Sequence, residues 1–451
     1  MMEKKSRDHC KERESGKLDQ GRRGALKRLG ATTVAAALSP MILPSRLLAQ
    51  KTVASDTPPP SERLSIALVG LGSAMTNQLR TLLPNKDIFI HAVCDVDTRR
   101  LKEVAVDVLR AYRRDLNEYG KCLSTQDHNE IMARDDIDGV VVATPVHWNA
   151  AITLDAIRSG KDVLCQSPMT LTVREGQLVQ RAAAQHGAIV QCVAPQRCEE
   201  QMVRMCELVR NGYLGEIKQI YVEFDPLGGP DAVPQQKPPE ELDYDRWLGP
   251  APWAHYHSAR VSSGRVSGWR QYWDYGARNH GEIGFGRYDL IQWALDMEGS
   301  GPVKFTPRGI DGAQYSTFTY DKGPQVLLGH PVERDQDIEF FGTQGRVTAN
   351  SKGQLHGEPP ELARAKPGAS DQRLPLTDTP ETSWIESVKT RSKPIADANV
   401  GHRSSTICHL NVIAERLGRS VTWDPAKEEI VGDPVASRML DRPRRAPYTL
   451  V

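Results

Sequence analysis

From Leu64 onward the chain alternates short apolar runs with longer stretches of helical periodicity. Residues 66–69 are apolar and partly β-branched, the pattern of a buried parallel strand. A tight Gly70-Leu71-Gly72 turn follows, and Leu79, Leu82 and Leu83 then recur at helical spacing. A second apolar strand over 88–94 ends on Asp95. Further strands are predicted over 138–144, 162–165 and 188–193, with helices over 150–159 (stopped by Gly160) and 172–186. Residues 101–135 read as a helix followed by a polar excursion. Strands alternating with helices in this way predict a doubly wound parallel sheet.

After Pro195 the pattern changes. Residues 198–211 form an amphipathic helix with Met202, Met205, Cys206 and Val209 on one face, a stripe read as core. Strand-like runs over 217–224, 303–310, 315–320, 326–328 and 338–348 lack regular intervening helices, which predicts a mostly antiparallel sheet with one open face. An aromatic-rich insertion, 225–281, separates the first of these from the rest. Loops this long in a compact domain usually bind something. Residues 360–381 read as a surface loop, 384–391 and 402–417 as helices, and 424 onward as a polar tail with a proline-rich end. The expected class is therefore α/β: an N-terminal Rossmann dinucleotide-binding domain over 64–194, then a C-terminal α/β domain over 195–451 with an open, mostly antiparallel sheet.

The first βαβ unit carries the clearest chemistry. Gly70 permits the tight turn, and Gly72, followed by Ser73, lets the backbone approach a pyrophosphate at the helix N-terminus. Asp95 lies about 20–25 residues further on, where a carboxylate accepts from a ribose hydroxyl. The third glycine of the fingerprint is replaced by Met75. That side chain either shifts the helix or crowds the pyrophosphate.

Length and charge narrow the function. At 451 residues the chain exceeds one ordinary core, so two domains are expected. With 58 basic and 57 acidic residues there is no electrostatic case for nucleic acid. The first fifty residues stand apart. A charged stretch contains Arg22-Arg23, and after Lys27-Arg28 an apolar run over 29–43 is interrupted by Pro40 and too short for a stable membrane span. A small residue, Ala49, closes the segment. Residues 1–49 thus resemble a twin-arginine signal peptide, with a basic arm as the other reading. Residues 50–63, with Pro58-Pro59-Pro60, form a linker. The expected location is periplasmic or cell-envelope, with no stable membrane span after cleavage. Eight cysteines show no CxxC and no zinc spacing; free thiols and no metal site are expected.

Several motifs then converge. TPVHW from Thr144, the Gln166-Ser167-Pro168 segment, NGYLGEIK, DYDRWLGPAPW, WDYGARNHGEIGFGRYDLIQWAL, FFGTQGRV and ADANVGHRSSTICHLNVIAERLGR together resemble the Gfo/Idh/MocA family. The resemblance implies NAD(P) as cofactor, sugar-like substrates and homo-oligomers that pack through the open sheet. It places Thr144, Pro145 and His147 along the nicotinamide half. Asp95 has no basic residue immediately beside it, which leans toward NAD, while Arg99 and Arg100 keep NADP open.

The same resemblance exposes two departures. The family's Glu-Lys-Pro is Gln166-Ser167-Pro168 here, so the lysine is a serine. The family's acid, histidine and aspartate stripe is Glu282, Gly286 and Asp289, at i, i+4 and i+7 on one helix face. A glycine inside a helix costs roughly 1 kcal/mol against alanine, so Gly286 is expected to make room for something bulky. Candidate catalytic groups are Glu282, Asp289 and, as a substitute base, His280. Arg287 suits a substrate carboxylate or phosphate, and Arg197, Trp269, Arg270 and Tyr275 are candidate substrate contacts. The tryptophans at 247, 253, 269 and 273 either stack on sugar rings or pack the insertion. The expected function is an exported NAD(P)-dependent oxidoreductase acting on a sugar or polyol. Glycoside cleavage through transient oxidation by bound NAD, and a catalytically silent nucleotide- or carbohydrate-binding relative, are the alternatives.

Overall fold

The computed structural model describes residues 62–112, 122–223, 230, 232–264, 268–329, 337–350 and 352–450, without the side chains of Asn279 and Glu282. All of them belong to one compact unit, Asp56–Val451. The expected leader, and the linker up to residue 61, lie outside the described residues.

Six parallel strands form the first sheet: β1 (Leu64–Val69), β2 (Ile88–Cys94), β3 (Leu123–Thr125), β4 (Gly139–Val142), β5 (Asp162–Cys165) and β6 (Val190–Cys192). Their order is β3-β2-β1-β4-β5-β6, so the connections diverge between β1 and β4 and open a crevice at the strands' C-terminal ends. The covering helices are α1 (Ser73–Leu82), α2 (Thr98–Ala111), α3 (Val146–Arg158) and α4 (Val173–His186). The last is delimited by local chemistry: Thr172 and Glu175 form a reciprocal capping box, and Gly187 closes it in the left-handed conformation. Two expectations needed adjustment. β3 is three residues long with polar flanks, too short to show a period. α3 begins at Val146, a turn earlier than expected, because His147, Trp148 and Asn149 are buried by contacts that only the tertiary fold supplies.

Met75 is fully buried in the apolar cluster that includes Ile66, Leu68 and Ile90. It faces the sheet and does not crowd the turn. Met75→Gly is therefore expected to lower unfolding free energy by about 3–5 kcal/mol, from the cavity and the helical glycine, with no gain in nucleotide affinity. Urea unfolding beside a binding titration checks this; tighter binding by the variant would restore the crowding view.

The second sheet comprises β7 (Ile217–Val222), β8 (Lys304–Thr306), β9 (Ser316–Thr319), β10 (Gln325–Leu328), β11 (Ile338–Gly342), β12 (Gly345–Ala349), β13 (Leu355–Glu358), β14 (Val421–Asp424) and β15 (Glu429–Ile430). The order is β13-β12-β11-β7-β10-β9-β8-β14-β15. Every pairing is antiparallel except β7 with β10. The run over 338–348 is not one strand: Thr343-Gln344 turn it into the β11–β12 hairpin. On one face lie α5 (Glu200–Arg210), α6 (Glu282–Ala294) and, toward β8, α8 (Ala398–Leu417), with the methionine stripe of α5 in the core. Helix α7 (Pro380–Thr390) returns to the first sheet, where the Trp384 ring lies so close to Gly139 that a Cβ there would be 2.8 Å from it. The glycine in β4 is what lets this helix dock.

Candidate active site

A cavity of about 270 Å³ opens at the C-terminal ends of β1, β2 and β4. Its floor is the glycine turn. Gly70 has φ +83°, and a Cβ there would lie 2.7 Å from the Ala143 carbonyl oxygen and 2.8 Å from the Thr144 methyl. Gly72 is the N-cap of α1 in an extended conformation, with no side-chain cap and no acid in the first turn. A Cβ on Gly72 would approach only the Arg100 Nη1, at 3.8 Å. The first amides of α1 are thus left without a side-chain acceptor beside open space, a cradle that fits a diphosphate.

Asp95 organises the neighbouring wall. Its Oδ2 accepts from the Leu71 amide at 2.7 Å and its Oδ1 from the Asp97 amide at 2.8 Å, so the acid ties the glycine turn to the end of β2. Burial pushes its carboxyl above the usual range, opposed by the Arg100 guanidinium at 3.9 Å and by the two amides. Each oxygen keeps a further lone pair for a ribose hydroxyl. Arg99 turns aside to chelate Asp97 at 2.8 and 3.1 Å.

Thr144, Pro145 and Gln166 continue the wall. Asn149, which sequence reasoning did not single out, braces it: Thr144 Oγ1 donates to its Oδ1 at 2.8 Å, and its Nδ2 donates to the Gln166 and Pro168 carbonyls at 3.2 and 3.0 Å. Its sequence signal was slight, one polar residue in a helix that also carries His147, Thr153, Asp155 and Arg158. Ser167 is buried and does not line the cavity. Opposite the strands, the insertion supplies Trp247, Ser263, Trp269 and Arg270, and the tail supplies Pro447 and Tyr448. The Arg270 guanidinium stacks on Trp269, 4.2 Å from the ring centre, and donates to the Gly264 carbonyl at 3.1 Å. The expected contacts Trp269 and Arg270 therefore meet the nucleotide turn across one cavity.

Other expected site residues are placed elsewhere. His147 points away from the crevice: its Nε2 donates to the Trp247 carbonyl at 2.9 Å, and its ring packs on Trp247 and Tyr275. Burial pushes it down to about 4, against that hydrogen bond. The unfolded chain binds this proton near 6.5 and the native state does not until about 4, so stability falls as pH drops through that window. Denaturant midpoints between pH 7 and 4 are expected to fall less steeply in His147→Gln than in the parent chain.

Arg197 and Asp289 meet each other, not the crevice. The guanidinium donates to Asp289 Oδ2 at 2.6 Å and Oδ1 at 2.9 Å. It also reaches Glu298 at 2.8 Å and the Ile395 carbonyl at 3.0 Å, and Ser404 donates to Asp289 at 2.9 Å. Both residues are about 1% exposed. His280 is likewise buried, with Nδ1 at 2.7 Å from the Tyr288 hydroxyl and Nε2 at 2.9 Å from Glu415. Burial alone would push Glu415 up, but the His280 charge and hydrogen bond bring it below its ordinary value. Arg287 pairs with Asp337 at 2.7 Å. Tyr275 is buried, with its hydroxyl 3.4 Å from Arg260. Of Glu282, only the backbone at the start of α6 is described.

Gly286 does make room. A Cβ there would lie 2.7 Å from both amide atoms of Gln196, so a neutral carboxamide stands where the resemblance expects a histidine. Among the described residues no group of three His, Cys, Asp or Glu side chains is placed to hold a metal ion. No described helix is long and apolar enough to cross a membrane, and the seven described cysteines are free.

Comparison with known proteins agrees with this geometry. Residues 64–193 match a family model described as an oxidoreductase family, NAD-binding Rossmann fold. Residues 219–450 match its companion, an oxidoreductase family C-terminal alpha/beta domain. A curated relative, a glycosyl hydrolase family 109 protein of Saccharopolyspora erythraea, is 27% identical over 158 residues, 35% of this chain and 34% of the relative. An alpha-N-acetylgalactosaminidase of Shewanella oneidensis is 27% identical over 170 residues, 37% of this chain and 36% of the relative. The chain thus spans about a third of the length of these curated relatives. Among solved structures, an aldose–aldose oxidoreductase from Caulobacter crescentus complexed with glycerol aligns with TM-score 0.54 and 18% identity, over 80% of this chain and 99% of that one. The WlbA dehydrogenase from Bordetella pertussis, in complex with NADH and UDP-GlcNAcA, aligns with TM-score 0.54 and 15% identity, over 80% and 98%. These likenesses establish the fold.

Proposed function

Because this chain belongs to the Gfo/Idh/MocA oxidoreductase family, with an NAD-binding Rossmann fold, we propose that it is an exported NAD-dependent enzyme acting on a hydroxyl-bearing carbon of a sugar or polyol. The observation that carries this reading is the uncapped glycine turn facing Trp269 and Arg270 across one cavity. A nicotinamide bound there would supply hydride acceptance and donation.

The residues divide the remaining work. Gly72, Ser73 and the first amides of α1 hold the diphosphate, and Asp95 takes the ribose hydroxyls. Its carboxylate repels a 2′-phosphate, which favours NAD over NADP even with Arg100 nearby. Thr144, Pro145 and Gln166 border the nicotinamide half, and Trp269 with Arg270 offers a flat face and a cation to a sugar ring. Proton transfer is the constrained step. Ser167 carries no charge, position 286 carries no ring, and His280 is already held by Tyr288 and Glu415. We assign the base to Glu282, the family's acid at the start of α6.

The test begins with denaturing the purified protein and identifying any released NAD(H) or NADP(H) by mass and absorbance. The emptied protein is then titrated with both and screened with sugars for nicotinamide absorbance. Glu282→Gln is expected to lower turnover by about 10²–10⁴ with unchanged nucleotide affinity. Absence of binding at millimolar nucleotide would end the oxidoreductase reading.

The names of the curated relatives favour a second reading, glycoside cleavage. It predicts release of a chromogenic leaving group that requires NAD yet accumulates no reduced nicotinamide. Net NADH formation would decide for the first. We further propose that residues 1–49 direct twin-arginine export and that copies pair through the open sheet face, where Phe341 is 43% exposed. Replacing the Arg22-Arg23 pair by lysines is the test of the first. Sedimentation of Phe341→Glu is the test of the second.

A further inference from the structure

Behind the wall made by His147 lies a second cavity, of about 400 Å³, within the size range of small-molecule sites. The end of α8 brings Arg416 to it, and the C-terminal tail brings Arg438, Arg442 and Arg444. Its carboxylates are Glu175, Asp274 and Asp441.

These charges do not cancel. Arg444 is neutralised by Glu175 at 3.0 Å and Asp441 at 2.7 Å. Glu175 is further committed to the Leu171 and Thr172 amides at 2.7 and 3.2 Å. Arg416, Arg438 and Arg442 remain against Asp274, and among the described residues none of the three has a carboxylate within ion-pair distance. Arg442 and Arg416 both lie against Trp273, with guanidinium carbons 3.4 and 4.7 Å from the ring centre. Arg442 donates through Nη1 to the Trp273 carbonyl, while its Nε is buried with no acceptor. Burial pushes this guanidinium down to about 9; Glu175 and Asp274 oppose the shift, and Arg416 and Arg444 add to it more weakly. Like charges gathered around a desolvated guanidinium with an idle donor are costly unless an anion completes the cluster.

We propose that this cleft is an oxyanion site, distinct from the nucleotide crevice, which takes the carboxylate or phosphate of a small molecule of sugar size. Planar guanidinium groups present paired donors to either group. The site stands independently of the function proposed above, because the diphosphate cradle at Gly72 contributes nothing to it.

The experiment is calorimetric titration of the full chain with sodium phosphate and with sodium glucuronate, at ionic strength matched by sodium chloride. Glucose is the uncharged control. Binding of phosphate alone assigns a phosphate ligand, of glucuronate alone a sugar acid, and of both an oxyanion in general; each supports the site. Arg416→Gln, at an exposed position, is expected to weaken binding roughly tenfold or more with an unchanged melting curve, and Arg442→Met to do the same where it folds. The proposal is overturned if neither anion binds at millimolar concentration, if Arg416→Gln weakens glucose binding as much as anion binding, or if Arg416→Gln binds the anions like the parent chain; glucose binding that Arg416→Gln leaves unchanged belongs to the first cavity.

Discussion

Gly70→Ala is expected to lower NAD affinity about a hundredfold or more, close to 3 kcal/mol. Two effects add at this position. The backbone there has φ +83°, which costs a residue with a Cβ about 1–2 kcal/mol. The new methyl would also lie 2.7 Å from the Ala143 carbonyl oxygen, an atom that cannot yield. Ala143 continues β4, donates its amide to Val69 at 2.8 Å, and sits beside β1 in a parallel ladder. The turn must move instead, and the amides that form the cradle move with it. Gly72→Ala separates ligand from fold, since its Cβ would meet nothing nearer than Arg100 at 3.8 Å. That variant should melt like the parent chain and still bind NAD more weakly. Fluorescence titration with NAD, beside thermal melts of both variants, gives the answer. Parent-like affinity in Gly70→Ala would mean that this crevice is not where nucleotide binds.

The second large effect is at Asp289, where sequence position suggests catalysis and geometry suggests architecture. Asp289→Ala leaves Arg197 buried without its bidentate partner. Breaking such a pair costs about 3–5 kcal/mol, here toward the lower end because Glu298 and the Ile395 carbonyl still hold two of its nitrogens. Unfolding in urea should shift accordingly, while NAD affinity per folded molecule stays unchanged. Asp289→Asn tests the alternative, because it keeps the shape and removes the charge. Loss of turnover at parent-like stability would return Asp289 to the active site; loss of stability in step with activity keeps it in the core.

These two positions illustrate what was legible beforehand. Gly70 could be read because a positive-φ turn between an apolar strand and a helix is local, encoded within a few residues. The same holds for α4, whose Thr172 and Glu175 announce its start and whose Gly187 announces its end. Arg197 and Asp289 are 92 residues apart, and His280 and Glu415 are 135 apart. A polar residue on an otherwise apolar helix face looks the same whether it faces a substrate or a buried counter-charge. The 338–348 run failed differently: Gly342-Thr343-Gln344-Gly345 is a turn signal that the single-strand expectation passed over, and the hairpin pairing Ile338 with Ala349 was legible there. The tail offered less. Its polar, proline-rich composition named no partner, yet Arg442 reaches Trp273, 169 residues earlier, and Tyr448 lines the nucleotide crevice.

The family resemblance implied a lysine and a histidine at the positions of Ser167 and Gly286; by itself the sequence determined the βαβ order, the glycine turn with Asp95 behind it, and the mostly antiparallel second sheet. Each of these follows from residue identity, or from a period of two or 3.6 that a short window contains. Only the tertiary structure decided that Met75 faces the core, that Gln196 occupies the space at Gly286, that Arg197 neutralises Asp289, and that the tail closes a second, arginine-lined cleft. Periodicity records that a side chain is buried; which group lies opposite is settled when segments a hundred residues apart pack together.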